Sequence, residues 1–219
     1  VDETKALKKR GADVMVDIRR AAHELREHVP FTSLGVITSI VIMVVIVFSG
    51  LLPGVSQISR EVFYVLHPSH VLLSAFTTTA MFMRYGGKKI WLAILIGYTG
   101  SIGIATISDS VIPYLGEILL DLPNRGIHIG FIEEPFLTNP AALLGIILGY
   151  WRWTTKFPHF GHVLISTWAS LFHIIMALGS AVSTVQIVMI GIFLFFAIWL
   201  PCCTSDIIYP MLFVKKEEG

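Results

Sequence analysis

The chain has 219 residues, 54% of them hydrophobic and 14% charged, with a mean hydropathy of +0.74 and a formal net charge of +1. Soluble domains carry about a quarter charged residues, so this balance predicts an all-α polytopic membrane protein in a lipid bilayer. Near-neutrality excludes an electrostatic nucleic-acid binder, and two adjacent cysteines, Cys202 and Cys203, exclude a disulfide framework.

Residues 1–29 read as a cytoplasmic amphipathic helix. Leu7, Val14, Ile18, Ala21 and Leu25 recur at heptad-like spacing among Lys5, Lys8, Lys9, Arg10, Arg19, Arg20 and Arg26. Such a face suits the anionic inner leaflet or a homo-oligomer contact. No secretory signal is visible in this stretch.

Six apolar segments follow, over 34–52, 62–83, 90–115, 137–151, 161–180 and 184–213. Most are long enough to cross about 30 Å of hydrocarbon as helices. The basic stretches "KALKKR", "RYGGKK", "RWTTK" and "KK" fall on one side of a six-span arrangement. By the positive-inside rule, both termini are cytoplasmic in a multi-pass protein of the cell membrane. "LDLPNRGIHIGFIEEP" (120–135) falls outside, where its acids would gather cations.

The second segment opens on "HPSHVLLS" (67–74) and the fifth on "HFGHVLIS" (159–166). "SDSVIP" (108–113) near the end of the third is echoed by "SDIIYP" (205–210) in the sixth, and "PFTS" (30–33) by "PFLT" (135–138). The echoes keep their order, which predicts a 3+3 inverted-topology repeat. Its units are 30–120 and 137–214, joined by an extracytoplasmic loop over 121–136 and followed by a short cytoplasmic tail over 215–219.

Histidines at i and i+3 share one helical face and can reach a single ion. A carboxylate from a neighbouring helix completes a set suited to Zn²⁺, Fe²⁺, Mn²⁺, Co²⁺ or Ni²⁺. The candidate ligands are His67, His70 and Asp109 near the outer face, and His159, His162 and Asp206 near the inner face. Glu117, His128, Glu133 and Glu134 are further candidates for the outer cluster, and Cys202 and Cys203 for the inner one. His173, deeper in the fifth segment, is a candidate relay. Pro68 and Pro158 suggest that each His-x-x-His heads a helix, because proline suits the first turn and disrupts the interior. Gly97, Gly100 and Gly103 read as a helix-packing face, and Trp151 and Trp153 as interfacial anchors.

The expected function is a secondary carrier or exporter of a divalent transition-metal ion, with one His/His/Asp cluster near each membrane face. A membrane-embedded metal-dependent enzyme, such as a lipid hydrolase with Glu117 or Glu134 as base, is the alternative. Neither His-Glu-x-x-His nor Gly-x-Ser-x-Gly occurs to support it. A haem-bearing or purely structural subunit is the remaining alternative; for haem, His70 and His173 would be the axial candidates.

Overall fold

The computed structural model describes residues 26, 29–87, 89–151, 156–179, 182–204 and 208–213, without the side chains of 156–159 and 203. Among these residues every regular element is helical. In chain order they are α1 (Val29–Phe48), α2 (Leu52–Arg84), α3 (Ile90–Thr106), a π-helical turn (Ile107–Val111), α4 (Ile112–Leu119), α5 (Gly130–Glu133), α6 (Pro135–Trp151), α7 (Lys156–Ala177), α8 (Thr184–Cys203) and α9 (Tyr209–Met211).

Among the described residues, four helices are long and apolar enough to cross a membrane: Val29–Phe48, Ile90–Leu119, Phe160–Ala177 and Thr184–Cys202. The distribution of side chains agrees. Large apolar residues point outward, with Phe136 90%, Phe48 80% and Trp151 78% exposed, while polar residues line the interior. Lipid accepts the first and shelters nothing polar, so this inside-out arrangement is that of a membrane protein.

Local sequence accounts for the helix ends. Gly50 (φ +69°) and Gly86 (φ +94°) take the left-handed conformation just past α1 and α2, where a side chain would be strained. Ser183 caps α8 by accepting from the Gln186 N–H, while the Gln186 side chain accepts from the Ser183 N–H. This reciprocal pair satisfies donors that a helix start leaves open.

Helix α2 is the axis of the bundle, packed along α7 on one side and α6 on another. Its contact with α6 depends on two notches. A Cβ on Gly145 would fall 2.1 Å from the Leu72 carbonyl oxygen, and one on Gly149 2.4 Å from that of Phe76. Only glycine lets the backbones approach so closely. Gly97 and Gly100 serve α3 in the same way, facing Thr79 and Thr78 of α2, whereas Gly103 faces open space. On the far side, α1, α7 and α8 share an apolar core around Met43, Leu171, Ile174, Ile175, Ile190 and Leu194.

Pro68 is not at the head of a helix. It lies inside α2, which begins at Leu52 with proline in its first turn. The stretch "VSQISRE" reads as a loop because it is polar, yet α2 runs through it and spans about 50 Å. The amphipathic helix expected over 1–29 falls almost wholly outside the described residues, as do Trp153 and the tail over 215–219.

Candidate metal site in a buried polar column

Three helical segments bring polar side chains to the middle of the bundle. Phe63, His67, His70 and Ser74 share one face of α2, at the spacing that aligns residues along a helix. His162, Ser166, Ser170 and His173 do the same on α7, and the α3–α4 segment contributes Asp109 and Glu117. All of these are 0–1% exposed. Uncompensated, so many buried polar groups would cost several kcal/mol each, on the order of an unmade hydrogen bond or more. Their partners therefore define what the column can do.

Asp109 sits in the π-helical turn between α3 and α4. The wider turn re-aims its side chain and loosens the backbone ladder, a feature that often marks functional positions. Ser170 Oγ donates to the carbonyl of Ser108 in this turn, at 3.0 Å. Asp109 Oδ2 accepts from the Nδ1–H of His67 at 2.9 Å and of His70 at 2.7 Å. Its Oδ1 accepts from Ser108 Oγ at 2.8 Å and Ser166 Oγ at 2.7 Å. Four donors saturate a carboxylate.

These bonds set the tautomers. A ring that donates from Nδ1 and is neutral carries its lone pair on Nε2. The His67 Nε2 is buried without a hydrogen-bond partner among the described residues. Its ring packs on the backbone of Gly130, where a Cβ would fall 2.3–2.7 Å from it. The ring of His70 stacks on that of His162, centroids 5.5 Å apart and planes 7° from parallel. His70, His162 and Cys202, from α2, α7 and α8, offer ligand atoms all within 4.8 Å of one another, and all three are buried. Cys202 Sγ also lies 3.9 Å from Ser166 Oγ. Two imidazoles and a thiol so placed form a donor set for a borderline-soft transition metal.

A second imidazole–carboxylate pair lies farther along the column. His173 Nδ1 is 2.8 Å from Glu117 Oε1, and Glu117 Oε2 accepts from the Gly126 N–H at 3.1 Å. Phe63 separates the pairs, stacked on His67 at 5.3 Å and edge-on to His173 at 5.4 Å. Beyond His173, the column reaches the rim. Glu133 Oε1 accepts from the Ile129 N–H at 3.0 Å, while its Oε2 takes Tyr64 Oη, Arg60 at 3.2 Å and His128 Nδ1 at 3.4 Å. Burial pushes the Glu133 carboxyl up, but the hydrogen bonds from Tyr64, Ile129 and His128 outweigh it and hold the group below the usual glutamate range.

No family model, curated protein or solved structure matches the chain. Function rests on the geometry alone.

Sequence reasoning put His67, His70 and Asp109 in one cluster, and the structure brings them together. It does not set His162 apart at the other face: His162 meets His70 in the same site. Counting residues along each segment overstated their separation, because α2 begins at Leu52, so His70 lies near the middle of a helix rather than at its head. Asp109, expected as a ligand, has its oxygens occupied by four donors. Glu117 and His173 pair with each other, His128 and Glu133 stand at the rim, and the Glu134 carboxylate joins neither pair among the described residues. The side chains of His159 and Cys203, and Asp206 entirely, lie outside the described residues. Ser108, Ser166, Ser170 and Phe63 were missed. Ser166, as the last residue of its octet, and Ser108, as the first of its Ser-Asp echo, carried a signal; Ser170 and Phe63 carried none.

Proposed function

We propose that the chain is a multi-pass carrier of a divalent transition-metal ion, built as a 3+3 inverted repeat around one central metal site. The observation that carries this reading is the stacking of His70 on His162. They are the same position of the two octets, and residues on a two-fold axis meet their own copies. The π-helical turns add support. One holds Ser108 and Asp109, and Thr204 and Ile208, which bracket the second Ser-Asp, are themselves π-helical. In this reading α1, α2, α3–α4, α6, α7 and α8–α9 are the six spans, with both termini cytoplasmic and the 120–135 loop outside.

His70, His162 and Cys202 are the proposed ligands. Asp109 acts on the ion through His70, fixing the ring with Nε2 as the metal-facing nitrogen and raising its basicity. This replaces one cluster at each face with one site at the centre. A thiol beside two imidazoles favours Zn²⁺, with Fe²⁺, Co²⁺ and Ni²⁺ next, and disfavours the harder Mn²⁺. Three protein ligands leave a position through which the ion can be handed on, as transport requires. The buried lone pair of His67 on the Gly130 side is suited to a transient stop on the outer approach.

The enzyme reading has less support. A metal-activated water needs a free general base within hydrogen-bond reach, and Asp109, the carboxylate beside the site, is saturated. The test is metal content of the purified protein, followed by Zn²⁺ flux into liposomes for wild type, His70→Ala and His162→Ala. Stoichiometric metal and flux in wild type, both lost in the variants, is expected. Bound metal with no flux would favour the enzyme, and no bound metal would remove both readings.

A further inference from the structure

The metal site leaves Glu117 and His173 unused, though they are buried in the same column. We propose that this pair is a proton-binding station, and that its proton is exchanged against the metal ion at the central site. This rests on the carrier reading and would make the carrier a metal–proton antiporter.

The hydrogen bonds around the pair favour one tautomer of His173. The His128 backbone N–H donates to His173 Nε2 at 3.4 Å, so that nitrogen carries the lone pair and the ring proton is on Nδ1. Nδ1–H is donated to Glu117 Oε1, and Gly126 N–H to Oε2. This arrangement of donors suits the proton-free form of the pair, a neutral imidazole beside a carboxylate with a net negative charge of one. Among the described residues no Lys or Arg forms an ion pair with Glu117 to balance it. Adding a proton neutralises the pair, and the long bond from His128 is the one given up if Nε2 takes it.

The surroundings supply a route and a barrier. Among the described residues the titratable group in contact with the pair is His128 of the outer loop, its ring 5.5 Å from that of His173. The His128 side chain is 25% exposed and bonded to Glu133, itself 28% exposed, which connects the pair to solvent. Behind Glu133 stand Tyr64 and Arg60 of α2. On the opposite side, α2 presents Phe63, and only behind it His67. Helix α8 meets the α4 segment through Phe193, against Gly116, and carries no titratable residue before Cys202. A phenyl ring passes no proton, so the station and the metal site do not exchange protons directly. They still feel each other's charge, because a low-dielectric interior screens little. A dication at His70, His162 and Cys202 favours the ionised pair and expels its proton; a protonated pair weakens the hold on the metal.

Zn²⁺ titration of the detergent-solubilised full chain in weak buffer with a pH dye tests this. Coordination by Cys202 itself releases a proton, so the informative quantity is the difference from Glu117→Gln. At equal Zn²⁺ occupancy the variant is expected to release fewer protons, by up to one per ion bound. His173→Gln, expected to show the same loss, carries the comparison if Glu117→Gln does not fold. In liposomes a pH gradient should drive Zn²⁺ uphill in wild type only. Equal proton release by wild type and variants at matched occupancy overturns the coupling and leaves the metal site standing. Absence of Zn²⁺ from wild type overturns both, and the metal count tells the two failures apart.

Discussion

The rings of His70 and His162 stack nearly parallel, centroids 5.5 Å apart and planes 7° from parallel, although one belongs to α2 and the other to α7. Neither helix alone offers the three donors. Together with Cys202 from α8, they bring the donor set of the proposed site from three separate parts of the chain. Alanine at His162 should therefore abolish stoichiometric Zn²⁺ binding, while Cys202→Ser should retain it more weakly and shift preference toward harder ions. Competition titrations with Zn²⁺, Co²⁺ and Mn²⁺ check this; unchanged selectivity in Cys202→Ser would remove the sulfur from the site.

In the proposed site Asp109 is a support rather than a ligand, its oxygens being taken by His67, His70, Ser108 and Ser166. Asp109→Asn keeps the shape but converts one acceptor oxygen into a donor group facing N–H or O–H. Metal affinity should fall by about 10–100-fold, the usual consequence of losing a partner that orients a ligating histidine. Ser166→Ala should fall in the same direction by less, and the double variant should lose less than the sum of both, since the two residues act as a unit. Isothermal titration with Zn²⁺ reads all three; strictly additive losses would separate Ser166 from the Asp109 network.

The fit of α6 on α2 depends on two glycines. A methyl at Gly145 meets the Leu72 carbonyl oxygen at 2.1 Å, and backbone cannot step aside as a flexible side chain can. Gly145→Ala should destabilise the protein by about 1–3 kcal/mol. Gly103→Ala, with nothing within 4 Å, should be neutral or slightly stabilising. Thermal unfolding in detergent distinguishes them, and equal midpoints would contradict the packing described.

Much of this was legible in the residues. His67 and His70 of the first octet, His162 and Ser166 of the second, and the Ser108-Asp109 pair named side chains that meet, because polar residues survive in a membrane segment only where something satisfies them. What the sequence hid was depth and partnership. A helix such as α2 that buries a polar face reads as loop and span in turn, so the true position of His70 along it was invisible. The role of Asp109 depended on which oxygen each donor takes, and on the π-helical turn that aims it. The Glu117–His173 pair joins α4 to α7 with no motif at all.

At the rim, Glu133 ties α5 to α2 and to the outer loop. Its carboxyl is held below the usual glutamate range, so the ionised form is bound better when folded. Its contribution is present above the ordinary glutamate pKa and is lost as pH falls through the lowered value. The protection of amides over 129–134 against exchange, relative to their intrinsic rate at each pH, should fall on acidification in wild type and be lower and less pH-dependent in Glu133→Gln. Identical acid profiles would show that Glu133 does not hold the loop.

X-ray absorption at the zinc edge of the Zn²⁺-loaded protein bears on the central site without any substitution. Two imidazole nitrogens at about 2.0 Å and one sulfur at about 2.3 Å in the inner shell are predicted. An inner shell of oxygen and nitrogen without sulfur, or one with a single imidazole, would contradict a site made by His70, His162 and Cys202.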